Sequence, residues 1–199
     1  MSKHYEEALP EGYIEIYHIN AKDTKTGVIL NLASLLLMII PLIVVLPIFF
    51  LTKEFKVEDS LQTILFLFGF LVCMILCIIA HELVHGIAYK ALTKQKLTFG
   101  ISWSVAYCGV PNIYVYRKAA MIALMAPFVT FTLFFCGLLV WFYFINSLLY
   151  ILLSILFAIH FGGCSGDLYM FFLFLFKYKD KDLLMRDTGP EQFIYQKQN

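Results

Sequence analysis

The sequence predicts an all-α polytopic membrane protein, with four transmembrane helices and a short β-hairpin between the second and third. Three observations predict it. Of 199 residues, 61% are hydrophobic and only 15% charged, where a soluble domain sits nearer half apolar and a quarter charged. Four runs are long enough and apolar enough to span a bilayer. Between the second and third runs the pattern changes to strict alternation.

The runs follow in order. Residues 27–51 carry no charge and are interrupted by Pro41 and Pro47. Residues 61–80 have only Gln62 and Thr63 as polar members, and their apolar character resumes after two histidines through Leu92. Residues 119–145 are uncharged and contain Pro127; residues 147–176 contain His160 and Asp167. A spanning helix needs about 20 apolar residues, so each run qualifies. The prolines are tolerable there as kinks.

Lysine and arginine set the expected orientation. Lys3, Lys22 and Lys25 precede the first run; Lys90, Lys94, Lys96, Arg117 and Lys118 lie between the second and third. Lys177, Lys179, Lys181, Arg186 and Lys197 follow the fourth, whereas the loop at 52–60 has only Lys53 and Lys56. Thirteen against two places both termini in the cytoplasm of a multi-pass cell-membrane protein. The expected organisation is a cytoplasmic N-terminal segment at 1–26, a membrane domain at 27–178 and a cytoplasmic tail at 179–199. The tail, with Gly189-Pro190, reads as a solvated segment. The first 26 residues include Glu6, Glu7, Glu11, Glu15 and Asp23, unlike the basic start of a signal peptide. The expected surroundings are the lipid bilayer. No basic block with interleaved aromatics points to nucleic acid, and a net charge of +1 adds nothing.

The hairpin is expected at 97–116. Leu97, Phe99, Ile101, Trp103, Val105 and Tyr107 alternate with small or polar residues through Cys108, the mark of a strand with one apolar face. Gly109-Val110-Pro111-Asn112 supplies turn residues, and Ile113–Tyr116 returns as a second strand. The competing reading is an interfacial loop with its aromatics at headgroup level.

Five cysteines, Cys73, Cys77, Cys108, Cys136 and Cys164, form no Cys-x-x-Cys metal pattern. They read as small buried hydrophobes, although Cys77 lies one turn before His81. His4 and His18 take no role.

The chemistry lies at His81-Glu82-Leu83-Val84-His85. On a helix this spacing sets both imidazoles on one face, where they reach one zinc ion, and the glutamate acts as base toward a water. Ionisable groups in lipid are costly, about 2.5–3.5 kcal/mol each at mid-depth, so their default reading is functional. A catalytic zinc wants a third protein ligand, and depth helps choose it. His81 lies about 13.5 Å and His85 about 7.5 Å before Lys90, while Asp167 lies about 15 Å before Lys177. His160 is about 25 Å from Lys177, more than a turn too deep. Depth favours Asp167, beside the glycine-rich break of residues 162–166; the other readings make Asp167 a carboxylate orienting a histidine, or an unrelated polar contact. His160 reads as a buried, hydrogen-bonded histidine.

At these residues the chain resembles the site-2 protease type of intramembrane zinc metalloprotease, and within it a bacterial branch of zincin peptidases. The resemblance covers roughly residues 61–178. It implies that His81, His85 and Asp167 bind Zn2+ and that Glu82 is the base. One difference stands out: the better-known members carry an Asn/Pro-containing stretch ending in Asp-Gly, whereas here glycine precedes Asp167 and no proline is near.

The expected function is zinc-dependent endopeptidase cleavage of a membrane protein, with a lipidated or membrane-bound peptide as the other substrate. The hairpin would hold the unwound substrate as an added strand. The alternatives are a metal transporter and a non-catalytic, metal-dependent membrane binding protein. A transport route usually carries polar residues on several helices, yet the first and third runs have no Asp, Glu, His, Lys or Arg. A non-catalytic relative would be expected to lack Glu82.

Overall fold

The computed structural model of the protein describes residues 3–21, 23–52, 60–101, 106–179 and 182–198. The chain is mostly helical: α1 (Thr24–Thr52), α2 (Ser60–Thr93), α3 (Arg117–Ile145), α4 (Ser147–Gly163) and α5 (Ser165–Phe172). A π-helical turn, Leu173–Lys177, continues α5. The helices α1, α2 and α3 are each long and apolar enough to cross a membrane, and the bent pair from Ser147 to Lys177 makes a fourth if it counts as one span. None of the most apolar stretch of α2 is buried within the protein, as befits a helix whose solvent is lipid. The helix starts are legible locally. Asp23 accepts the Thr26 backbone N–H at 3.1 Å ahead of α1, and Asn146 accepts that of Leu149 at 2.9 Å ahead of α4. Both cap donors that have no partner within the helix.

The chain divides into two compact units. One comprises Asn31–Ala80 and Phe128–Ser165 and is helical. Its core gathers Phe49, Phe135, Leu139, Tyr150, Leu156 and Phe157, with Cys73 and Cys77 packed against it. Phe49 stacks on Tyr150 at 5.1 Å, and the Tyr150 hydroxyl donates to the Val45 carbonyl at 3.2 Å. Gly162 lets α4 approach α1 closely, since a Cβ there would stand 2.6 Å from Met38 Cγ and 2.7 Å from Ser34 Oγ.

The other unit comprises Met1–Leu30, His81–Pro127 and Gly166–Asn199, and it holds the strands. β1 (Tyr5–Glu6), β2 (Tyr13–Asn20), β5 (Tyr114–Tyr116), β6 (Leu183–Asp187) and β7 (Glu191–Lys197) form a five-stranded sheet in the order β1-β5-β6-β7-β2. All its pairings are antiparallel. β3 (Thr98–Ile101) and β4 (Ala106–Gly109) form a separate antiparallel pair. The core of this unit joins Tyr89, Val110, Val115, Ala120, Leu124 and Phe174 to Leu183, Met185 and Ile194. Each fully buried large side chain there contributes about 1.5–3 kcal/mol.

Two expectations are corrected here. The tail is not a solvated segment: Leu183, Leu184 and Met185 are wholly buried, and β6 and β7 run through the sheet. Their connection turns at Gly189, with φ +99°. The Tyr107 ring lies against it where a Cβ would stand, so glycine answers two demands at once. The hairpin is also differently drawn. Thr98 pairs with Gly109 and Ile101 with Ala106, so both its strands come from the stretch read as one, while Tyr114–Tyr116 joins β1 and β6 instead. Trp103 and Val105 lie outside the described residues. Alternation reports that a segment is extended, and says nothing of which strand it will pair with.

Candidate metal centre

α2 carries His81, Glu82 and His85 one turn from end to end, and its last turns are packed. His85 and Gly86 are buried, whereas Leu83 and Ile87 on the opposite face are 50% and 68% exposed. At Gly86 the strand β3 crosses close by, since a Cβ there would lie 2.7 Å from Phe99 Cζ. α5 brings Asp167 into its own first turn, just after the interruption at Cys164. That position suits an anion, because the unpaired N–H groups of a helix start carry partial positive charge. Two contacts hold this region in place. The Tyr169 hydroxyl lies 2.7 Å from that of Tyr17 on β2. Arg117 donates from Nε and Nη2 to the Phe174 carbonyl at 3.1 and 2.7 Å, at a π-helical turn where the ordinary ladder is disturbed.

His81 Nε2 and His85 Nε2 lie 3.3 and 3.1 Å from Asp167 Oδ2. One donor atom from each of the three residues falls within 4.8 Å of the others. His85 Nδ1 is 2.9 Å from the Ala123 carbonyl. A carbonyl only accepts, so Nδ1 carries the proton and Nε2 of the neutral ring is left with a lone pair. In the neutral ring that lone pair faces a carboxylate oxygen, so the two atoms can share one cation. Zinc bonds of about 2.0–2.1 Å in a tetrahedral site separate neighbouring ligand atoms by roughly 3.3–3.4 Å. The observed separations are close to that, and the residues fit the ion.

Glu82, partly buried, lies near Cys108 on β4. Cys108 itself is buried, and burial together with the Asp187 and Glu82 carboxylates pushes its thiol up to about 12. Of the other sequence candidates, His160 sits on α4 in the helical unit, among Phe128, Phe131 and Phe135, with Cys164 Sγ 3.7 Å from its Nδ1. His18 stacks on Phe193 at 4.2 Å.

Two residues of this region escaped the sequence reading. Tyr89, one turn past His85, is 1% exposed, and its hydroxyl donates to Asp187 Oδ2 at 2.6 Å. The i+4 spacing from His85 was a readable signal for Tyr89. Asp187 offered only the Asp-Thr-Gly of a turn.

Two imidazoles and a carboxylate gathered in this way, with a further carboxylate beside them, are the donor set of a zinc hydrolase. The family described as “Putative zincin peptidase” matches residues 74–181, more than half of the chain, and the protein belongs to it. By that membership it is a zincin-like metallopeptidase with zinc as its implied cofactor. No curated protein and no solved structure matches the chain.

Proposed function

We propose that the protein is an intramembrane zinc endopeptidase of the site-2 protease type, with zinc on His81, His85 and Asp167 and Glu82 as general base. The carrying observation is the approach of both Nε2 atoms to Asp167 Oδ2 at 3.3 and 3.1 Å. Zinc bound there supplies the Lewis acidity that polarises a scissile carbonyl and makes water a nucleophile at neutral pH. Glu82 takes the proton of the attacking water onto a carboxylate oxygen. It then delivers that proton to the departing amide nitrogen and is a carboxylate again. The Ala123 carbonyl keeps His85 in the tautomer that leaves Nε2 free.

The substrate is a membrane protein or a membrane-bound peptide, cleaved in the cytoplasmic half of the bilayer, with both termini of the enzyme cytoplasmic. A helical substrate hides its peptide bonds in hydrogen bonds and has to unwind first. The β3–β4 pair lies beside the motif helix and offers strand addition to the unwound segment.

Membrane-peptide proteomics of cells carrying the wild-type protein or Glu82→Gln tests the reaction. Peptides that accumulate only with Glu82→Gln are the expected result, and identical peptide sets would refute the assignment. For orientation, a single cysteine introduced at residue 56 should label only from outside the cytoplasm; labelling only from within would reverse the topology.

A further inference from the structure

Asp187 is a deeply buried carboxylate, 3% exposed, that the proposed chemistry does not use. It ends β6 and joins three pieces of chain. Its Oδ2 accepts the Tyr89 hydroxyl at 2.6 Å, its Oδ1 accepts the Gly189 N–H at 2.9 Å, and its backbone carbonyl accepts the Val110 N–H at 2.9 Å. Tyr89 lies on α2 one turn beyond His85. Val110 directly follows the end of β4. The ties from Asp187 therefore reach both walls of the region around Glu82: the motif helix and the end of β4.

Stability does not account for a carboxylate at this position. Burial pushes its pKa up to about 6, so at neutral pH its charge costs stability, and an apolar pair of the same size would hold the walls together more cheaply. What the polar pair adds is direction, since hydrogen bonds fix distance and angle where apolar contacts slide. We propose that Asp187 is a positioning residue for the reaction: through Tyr89 on the motif helix and Val110 at the end of β4 it sets the spacing between α2 and β4, and with it the place of Glu82 on the motif helix. This rests on Glu82 being the base. The zinc donors lie on α2 and α5, so the proposal separates positioning of the base from binding of the metal.

The test uses the full chain purified in detergent, as wild type, Tyr89→Phe, Asp187→Ala and Asp187→Asn. Zinc content, kcat and KM on fluorescein-labelled casein, and amide hydrogen exchange over residues 106–110 are measured for each. Tyr89→Phe and Asp187→Ala should keep one zinc per chain and bind casein with KM within about threefold. Their kcat should fall roughly 10- to 100-fold, the scale of a misplacement near 1 Å, and residues 106–110 should exchange faster. Asp187→Asn keeps a hydrogen-bonding partner for the Tyr89 hydroxyl and should recover most of the rate. If Asp187→Ala does not fold, Tyr89→Phe, which removes a single hydroxyl, carries the same test. Unchanged kcat or unchanged exchange in Tyr89→Phe overturns the proposal, as does loss of zinc from that variant or an equal loss of rate in Asp187→Asn. If the wild type binds zinc yet cleaves no casein, which is not a membrane substrate, the exchange measurement decides: faster exchange over residues 106–110 in Tyr89→Phe supports the positioning role and unchanged exchange overturns it. The peptidase reading is then judged by the membrane-peptide comparison of wild type with Glu82→Gln.

Discussion

The two compact units are made of different material. In the helical unit, the helices contain one Asp, Glu, Lys, Arg or His residue, His160. Its interior is aromatic and aliphatic, and its outer faces are apolar too, with Leu36 67% and Phe68 66% exposed. The strand-bearing unit contains His81, Glu82, His85, Asp167 and Asp187 together with a sheet core of the kind found in soluble domains. The difference teaches where each driving force operates. Helices surrounded by lipid gain little from excluding water and associate through close packing at small residues, as Gly162 does against Ser34 and Met38. The sheet buries Leu183, Met185 and Ile194 in its core, where removing apolar surface from water is the ordinary driving force. Costly polar groups then gather in the unit that has hydrogen-bonding backbone with which to satisfy them.

The sharpest way to break this division of labour is Glu82→Gln. It should lower cleavage by about 10²–10⁴-fold, the usual worth of a general base, with zinc content unchanged on metal analysis. His81→Ala should lose both metal and activity. Wild-type cleavage by purified Glu82→Gln would place the chemistry elsewhere.

Next comes the third ligand, Asp167 or His160. Asp167→Ala should empty the site of zinc and abolish activity, while His160→Ala should leave zinc bound with at most a partial loss of rate. Full zinc in Asp167→Ala together with none in His160→Ala would move the ligand into the helical unit.

A smaller effect is expected from pH. The folded pKa of Asp187 is raised to about 6 by burial, above the ordinary aspartate value near 3.9. Its contribution to stability is therefore fully present below about pH 4 and is lost as pH rises through about 6. The loss should be on the order of 2–3 kcal/mol, each pKa unit being worth 1.36 kcal/mol. Thermal unfolding of wild type and Asp187→Asn between pH 4 and 7 isolates it: the variant should lack this component, and parallel curves would show that Asp187 does not titrate there.

The smallest effect compares one glycine from each unit. Gly162→Ala would press on Ser34 Oγ, a short side chain near its own backbone, and should cost about 1–3 kcal/mol. Gly86→Ala would press on the far end of Phe99, which is 48% exposed and free to swing aside, and should cost less than about 1 kcal/mol. Comparable losses in melting experiments would mean that β3 is held as firmly as α1.

The sequence by itself determined what is local or periodic. Spanning helices follow from the length of uncharged runs, the break before Asp167 from Gly162-Gly163 and Gly166, and the pairing of His81 with His85 from 3.6 residues per turn. Counting helical rise set Asp167 near the motif as an expectation, and the folded chain sets its Oδ2 3.1 Å from His85 Nε2. The tertiary structure decided what depends on partners far away in the chain. Tyr114–Tyr116 is a strand of the large sheet only because Tyr5, Leu184 and Met185 come to its sides. The tail is core because β7 meets β2 from the opposite end of the chain. Asp187 meets Tyr89 across 98 residues, a contact that no local pattern encodes. Pairing partners and buried hydrogen bonds of this kind are set by the packing of the whole unit, so they become visible only once the chain has folded.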